Sequence, residues 1–341
     1  NFHTALKTSN LVILSGMSGT GKSRLVEVYG RALGMDTEQL NIISVRPSWT
    51  DDADLIGYVD SIHNVYRPGD SGLIDTLRQA EQHADTLYLI CFDEMNLARV
   101  EHYFSQFLSV LEMPQSRREL RLYNEELMNR LYNYKEYPNS IAIGPNVMFV
   151  GTVNMDESTH HFSDKVLDRA NLITLHMLPF AELRQSAERR PDRNVRRKWN
   201  TEEYSAFRSN VEGIGLSEEE LQCLQDIHDL LQQADASRGI GYRIVRQIDL
   251  YLKNRPQSIH LTREDAFDLQ IVQRVLTKVR GSEDQLHELL GQWQGSAASG
   301  STSGGTLLAC LDRHATVSHF VQTRKVIRQK GKELKLHGYT V

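Results

Sequence analysis

The residues best placed to do chemistry form a glycine-rich run that directly follows an apolar stretch at residues 11–14. The run fits the spacing G-x-x-x-x-G-K-[ST], in which successive backbone N–H groups can face an anion. A helical pattern at residues 23–33 follows and adds the positive end of a helix. The run therefore predicts a nucleoside triphosphate site, whose candidate binding residues are Gly16, Ser18, Gly19, Thr20, Gly21, Lys22 and Ser23.

Within that site the side chains have distinct expected tasks. Lys22 can reach the β- and γ-phosphates, and the hydroxyl of Ser23 can bind Mg²⁺. Asp93 and Glu94 end a second apolar run at residues 87–92. An acidic pair at the tip of a buried strand suits Mg²⁺ binding by Asp93 and activation of the attacking water by Glu94. The alternative is a solvated pair of loop carboxylates.

One asparagine and three arginines are further candidates for the hydrolytic reaction. Asn154 ends the apolar run at 147–153 and can orient water or bind the γ-phosphate, although asparagine is also frequent in simple turns. Arg169 follows a short helical pattern and can neutralise charge on a transferred phosphoryl group, often in a neighbouring subunit. Arg243 and Arg246 share one helix face, from which one of them can reach a nucleotide. Each arginine could instead be an ordinary surface cation.

The elements that must position these residues alternate between strand and helix. Short apolar runs at 11–14, 42–45, 87–92 and 147–150 are typical of buried parallel strands, and helical patterns at 23–33, 72–82 and 100–111 separate them. This alternation predicts a doubly wound parallel-sheet α/β domain at residues 1–178. Amphipathic patterns dominate afterwards and predict a smaller, all-helical domain at 179–341. Two interruptions are expected: an inserted hairpin or loop at 120–139 and a flexible Gly/Ser-rich segment near 295–305.

Composition limits the partners and the cellular compartment expected for this protein. The 341 residues carry a net charge of −5, which gives no whole-chain sign of nucleic-acid binding. The three cysteines lack metal-ligand spacing and are expected to be buried free thiols in a reducing cytoplasm. No apolar run approaches membrane-spanning length, so no membrane partner is expected. The phosphate loop lies close to the first residue, which suggests a further upstream domain.

Together these motifs resemble the AAA+ superfamily and, more narrowly, the McrB-like motor subunits of modification-dependent restriction systems. The most specific stretches are residues 93–112, 151–160 and 165–171; weaker matches are 47–58 and 337–340. The resemblance implies an AAA+ P-loop core with a helical lid domain.

The resemblance also implies roles and partners. Lys22, Ser23 and Asp93 would bind Mg²⁺ and nucleotide, Glu94 would be the catalytic base, and Asn154 the first sensor. Arg169 would be an arginine finger and Arg243 the second sensor. Such proteins form hexameric rings that drive DNA translocation, with a McrC-like nuclease subunit as partner and DNA bound through that partner or an upstream domain.

The resemblance leaves two questions open. McrB proteins carry a Met-Asn-x-x-Asp signature linked to GTP, whereas this chain has Glu157 at the final position, so ATP and GTP both remain candidates. A MoxR-like ATPase that remodels a protein partner shares the same core. A nucleotide-gated scaffold that binds without hydrolysis is a third interpretation. A basic cluster at residues 189–198 is interpreted as a solvated linker, with a DNA contact as the alternative.

Overall fold

A computed structural model describes residues 1–154, 160–177, 197–209, 211–294 and 301–340. These residues form two compact units. The sheet unit is Asn10–Phe207. The helical unit is Arg208–Val341 together with Asn1–Ser9, which contains the first helix, α1 (Phe2–Thr8). The predicted boundary at residue 178 lies outside the described residues.

The sheet unit is built on a five-stranded parallel sheet. Its order is β2-β5-β8-β1-β9, so most chain connections cross over the sheet faces. In chain order the strands of this unit are β1 Leu11–Gly16, β2 Leu40–Ser44, β3 Gly57–Asp60, β4 Val65–Pro68, β5 Tyr88–Asp93, β6 Glu119–Arg121, β7 Ser140–Ala142, β8 Val147–Asn154 and β9 Ala170–Thr174.

The central strands form where apolar residues run without alternation. All six residues of β1 are buried, as are five of the six in β5, because helices cover both sheet faces. The edge strand β9 was not predicted. Its run is short and contains Asn171, yet this side chain is fully buried in the structure.

Among the described residues of the sheet unit, two helices have 11 and 10 residues and the other five have 4–6. They are α2 Lys22–Ala32, α3 Ala53–Ile56, α4 Leu73–Gln82, α5 Val100–Tyr103, α6 Ser105–Val110, α7 Asp164–Leu167 and α8 Thr201–Ser205. The single helix predicted at 100–111 is two helices that meet at Phe104. The ring of Phe104 lies 4.9 Å from that of Phe92 and 5.0 Å from that of Phe107, so this aromatic cluster anchors β5.

Two antiparallel pairs are added to the sheet unit. Strands β3 and β4 form a hairpin that the sequence analysis did not predict. Strands β6 and β7 pair around a 3₁₀ helix at Glu125–Arg130, which agrees with the predicted insertion at 120–139.

The helical unit contains α9 Glu218–Ala234, α10 Tyr242–Asn254, α11 Arg263–Gln270, α12 Glu283–Leu290, α13 Thr306–Arg313 and α14 Val321–His337. A π-helical turn at Ile271–Val275 continues α11. Small antiparallel pairs join β10 (Gly281–Ser282) to β13 (Tyr339–Thr340) and β11 (Gln292–Gln294) to β12 (Ser301–Ser303). Residues 295–300 of the predicted flexible segment lie outside the described residues.

The predicted fold class, an α/β core with a helical C-terminal region, is confirmed. Among the described helices, none combines the length and apolar character needed to cross a membrane.

Candidate functional site

The phosphate loop connects β1 to α2. Gly19 and Gly21 have φ values of 82° and 83°, which side chains rarely tolerate, although a Cβ at either position would meet no neighbour. Glycine is therefore required here by backbone conformation rather than by lack of space. Because α2 begins at Lys22, the N–H groups of its first turn lie at the end of the loop.

The other residues predicted to bind nucleotide line the same turn. Gly16 ends β1 and lies opposite Asn154 in the sheet register. Ser18 is exposed, and the hydroxyl of Thr20 donates to the carbonyl of Met17 at 2.9 Å. Lys22 is buried; its Nζ donates to the carbonyls of Gly16 at 3.0 Å and Met17 at 2.9 Å. The loop therefore encloses one positive charge, as a phosphate site requires.

Three oxygen-bearing side chains meet where β5 and β8 end beside α2. The hydroxyls of Ser23 and Thr152 each donate to Oδ1 of Asp93, both at 2.6 Å. Hydroxyl and carboxylate oxygens are the hard ligands that Mg²⁺ prefers. The donor set therefore fits this ion.

Glu94 follows Asp93 in an unusual backbone conformation. Its φ of 53° and ψ of 47° place a non-glycine residue in the left-handed region, and such outliers cluster at functional sites. The backbone N–H of Glu94 donates to Oγ1 of Thr152 at 2.9 Å, which helps hold this turn. The turn directs the side chain of Glu94 to an exposed position at the sheet edge.

Glu94 and Asn154 are directly joined. Nδ2 of Asn154 donates to Oε1 of Glu94 at 2.7 Å. The backbone carbonyl of Asn154 in turn accepts from Nδ2 of Asn96 at 3.0 Å. The structure thus brings together Lys22, Ser23, Asp93, Glu94 and Asn154 at the carboxyl edge of the sheet, where ligands bind in open α/β domains.

Thr152 is a member of this site that the sequence analysis missed. It is 1 % exposed and contacts both acidic residues, one through its hydroxyl hydrogen and one through its oxygen. Side chains two residues apart in a strand share one face. Placing Asn154 in the site therefore also places Thr152 there, and this signal was available in the sequence.

The candidate arginines Arg169 and Arg243 lie in different units. Arg169 follows α7 in the sheet unit; its Nη2 pairs with Oε1 of Glu112 at 2.8 Å, and Nη1 donates to the carbonyl of Lys165. Its guanidinium is thus held by its own chain. Arg243 lies in the first turn of α10 in the helical unit and is exposed.

Several sequence predictions fall partly or wholly outside the described residues. These include residues 155–159, which contain the nucleotide-preference position Glu157, and Arg189, Arg190, Arg193 and Arg196 of the basic cluster. The two described members of that cluster are engaged within the protein. Arg197 stacks on Trp199 at 4.3 Å, and Lys198 pairs with Asp36 at 3.0 Å.

All three cysteines are buried and free, as predicted, but the statement that they lack metal-ligand spacing was wrong. Cys310 and His314 are four residues apart and meet Asp226 of α9. Nε2 of His314 lies 2.8 Å from Oδ2 of Asp226, and the guanidinium of Arg313 lies 3.7 Å from the same oxygen. Because a histidine and an arginine already pair with this carboxylate, we interpret the cluster as a structural ion-pair network.

Most of the sheet unit matches a known domain family. The family model described as an AAA domain of the dynein-related subfamily matches residues 11–170, a range that contains the phosphate loop, the acidic pair and Asn154. This unit is an AAA+ P-loop NTPase domain. A second family model, a domain of unknown function (DUF8727), matches residues 195–339 and so accompanies the AAA+ domain in the same chain.

Two solved structures are similar in outline to this chain. A Cytophaga hutchinsonii protein provisionally described as an ATPase is 15 % identical, with a TM-score of 0.48, over 74 % of this chain and 72 % of that one. The Saccharomyces cerevisiae Hsp104:casein complex in its extended conformation is 16 % identical, with a TM-score of 0.33, over 68 % of this chain and 40 % of that one. No curated protein matches the sequence. The assignment therefore rests on the family model and the site geometry, and it confirms the predicted NTPase class.

Proposed function

We propose that the AAA+ domain hydrolyses the β–γ phosphoanhydride bond of ATP or GTP with Glu94 as the general base. The observation that carries this proposal is a pair of contacts at the ends of β5 and β8. Asp93 contacts Ser23 of α2, and Glu94 contacts Asn154. Positioning and charge neutralisation supply most of the catalysis in phosphoryl transfer. A site that fixes a base, an amide and a metal-binding set on one sheet edge suits that requirement.

Nucleotide binding would use the loop and the first turn of α2. The N–H groups of this turn and the ammonium of Lys22 would pair with phosphate oxygens. Ser23 and Asp93 would hold Mg²⁺, which neutralises charge on the β- and γ-phosphates when bound.

In the chemical step, Glu94 would accept a proton from a water molecule. The water oxygen forms a new bond to the γ-phosphorus, and the bond from that phosphorus to the bridging oxygen breaks. The products are the nucleoside diphosphate and inorganic phosphate, and the proton on Glu94 returns to solvent. Asn154 would fix the direction in which the carboxylate of Glu94 points.

Arg169 would complete the site of a neighbouring protomer in a hexameric ring, and Arg243 would contact nucleotide from the helical unit. Arg169 lies beside an acid, Glu112, that holds its guanidinium in a defined place. Release of that ion pair would allow the guanidinium to reach a neighbouring γ-phosphate, where an arginine finger stabilises the transition state.

At the level of the whole system, we propose a McrB-like motor of a DNA restriction or phage-defence complex. Support comes from the resemblance of residues 93–112, which hold the acidic pair and continue through α6. The partner would be a McrC-like nuclease subunit, with DNA reached through that partner or an upstream domain.

A phosphate-release assay with ATP and GTP, with and without a McrC-like protein, tests this proposal. We expect Mg²⁺-dependent hydrolysis of at least one nucleotide and acceleration by the McrC-like subunit. Acceleration only by a partner with a metal-ion-dependent adhesion-type domain would instead favour the MoxR-like alternative. Nucleotide binding without any phosphate release would overturn the hydrolytic mechanism and favour a scaffold.

A further inference from the structure

The last helix of the helical unit, α14, is basic, in contrast to the acidic balance of the whole chain. It contains six lysines and arginines and one glutamate, whereas the whole protein has a net charge of −5. The positive charge is therefore concentrated on this helix, none of whose residues belongs to the nucleotide site described above.

Four of these cations lie on one side of α14: Lys325, Arg328, Lys332 and Lys335. With 3.6 residues per turn, these positions fall within a sector of about 80° and span about 15 Å along the helix axis. We call these four residues the α14 basic stripe. The opposite face of the helix, which includes Ile327, Lys330 and Leu334, is buried in the helical unit.

Two acidic residues on or beside α14, Asp312 and Glu333, have partners outside the stripe. Among the ion pairs of the described residues, none includes a member of the stripe. Asp312 pairs instead with Arg324 at the edge of the stripe, and Glu333 accepts from Thr340 at 2.6 Å and Gln329 at 3.1 Å. Three of the four side chains are exposed and Lys332 is half-buried. The stripe is a row of charges available to a polyanion.

We propose that the α14 basic stripe binds the phosphate backbone of double-stranded nucleic acid. A straight row of cations along one helix face complements a row of phosphates, and such contacts supply sequence-independent affinity. No Phe, Tyr or Trp lies within α14 itself, so the helix offers no aromatic platform for stacking unpaired bases. A duplex, whose bases are already stacked, fits better.

An anionic membrane is a less suitable occupant. A helix that binds a membrane surface must insert an apolar face, and the apolar face of α14 is already buried against the helical unit. The exposed apolar residues Val321 and Leu336 lie near the two ends of the helix and do not form a continuous face.

The test is fluorescence anisotropy with a labelled duplex of about two helical turns and the full chain, measured as a function of salt concentration. The test variant is Lys325→Gln/Arg328→Gln/Lys332→Gln/Lys335→Gln. The control is Arg31→Gln/Arg117→Gln/Arg121→Gln/Lys135→Gln, which removes the same charge from exposed positions of the sheet unit. Circular dichroism melting verifies that both variants are folded, and the experiment needs no NTPase activity.

We expect the stripe variant to lose at least tenfold in duplex affinity at low salt. We also expect the slope of log K against log salt to fall in magnitude by about three to four, since each phosphate contact contributes about 0.9. The control should keep most of the wild-type affinity and slope. Equal losses in both variants, or no duplex binding by wild type, would overturn the proposal. So would a stripe-dependent preference for phosphatidylserine vesicles over duplex.

Discussion

The side-chain amide of Asn154 donates to the carboxylate of Glu94 across 2.7 Å, which joins the tips of β8 and β5. The carboxylate proposed to activate water is thus held by a neutral donor. A neutral donor can fix the orientation of the carboxylate. It stabilises the negative charge of the carboxylate less than a cation would.

Substitution Asn154→Ala removes this donor and leaves the backbone of β8 in place. We expect nucleotide affinity to stay within about threefold of wild type and kcat to fall about a hundredfold, because small misplacements of a catalytic group have effects of this size. Steady-state phosphate release and nucleotide binding measure the two quantities. Asn129→Ala, at an exposed position of the inserted segment, is the control; an unchanged kcat in Asn154→Ala would remove Asn154 from the mechanism.

Thr152→Val tests the hydroxyl that links the two acidic residues. Valine has nearly the same shape but leaves the N–H of Glu94 and one oxygen of Asp93 without this partner. We expect a loss of about 1–3 kcal/mol in the free energy of unfolding, typical of unsatisfied buried groups, together with reduced hydrolysis. Urea unfolding measures the first effect. Thr152→Ser should retain both properties, and equal behaviour of the two variants would contradict this role.

Arg169 is tested by mixing two inactive variants. Arg169→Ala should lose about 10³-fold or more in kcat, as for other arginine fingers, and Lys22→Ala should lose nucleotide binding. If Arg169 acts on a neighbouring subunit, Lys22→Ala protomers supply intact arginines to Arg169→Ala sites. Phosphate release by the mixture should then exceed that of either variant. A mixture no more active than its components would contradict action between subunits.

Glu112→Gln examines the ion pair that holds Arg169. The substitution weakens the contact at 2.8 Å without removing the finger. We expect hydrolysis to be retained within about threefold, because Arg169 is proposed to act on the neighbouring site only after this ion pair is released. A loss as large as that of Arg169→Ala would show that Glu112 itself is needed for turnover.

Lys330 gives the helical unit a measurable pH dependence. Burial lowers the pKa of this lysine from 10.5 to about 8. Between these values the unfolded chain binds more protons than the folded one, so the free energy of unfolding rises with pH. Relative to Lys330→Met, wild type should gain up to about 1 kcal/mol per pH unit from about pH 8 to pH 10.

Urea unfolding of wild type, Lys330→Met and the exposed control Lys325→Met across this range measures the effect. The difference in the free energy of unfolding between wild type and Lys330→Met removes the contributions of groups that titrate alike in both proteins. A constant difference between wild type and Lys330→Met would contradict a lowered pKa in the folded state.

Sequence patterns were sufficient for the parts of the fold that depend on local signals. Continuous apolar runs predicted β1, β2, β5 and β8, and glycine spacing predicted the phosphate loop. Strand β9 was missed because its short run contains Asn171, whose burial depends on the neighbouring strand and helix. The break between α5 and α6 was missed because it follows from the packing of Phe104 rather than from a proline or glycine.

In the candidate site, too, some features could be predicted from local sequence signals and others could not. The side chains that end apolar strands were identified from sequence because parallel strands finish at one edge of a sheet. The left-handed backbone of Glu94 depends on the register of β5 against β8, which single-sequence patterns do not specify. Thr152, by contrast, lies two residues before Asn154 on the same strand face and could have been inferred from the sequence. The pairing of Arg169 with Glu112 is a contact between α7 and the residues after α6, and it also required the structure.

Glu94→Gln tests the central claim most directly, because it keeps the shape of the side chain and removes its ability to accept a proton. With Mg²⁺ and saturating ATP or GTP, we expect wild-type nucleotide affinity and a fall in phosphate release of about 10²–10⁴-fold, the usual contribution of a general base. The control Glu125→Gln, at an exposed position of the inserted segment, should hydrolyse normally. Phosphate release by Glu94→Gln within about twofold of wild type would contradict the account.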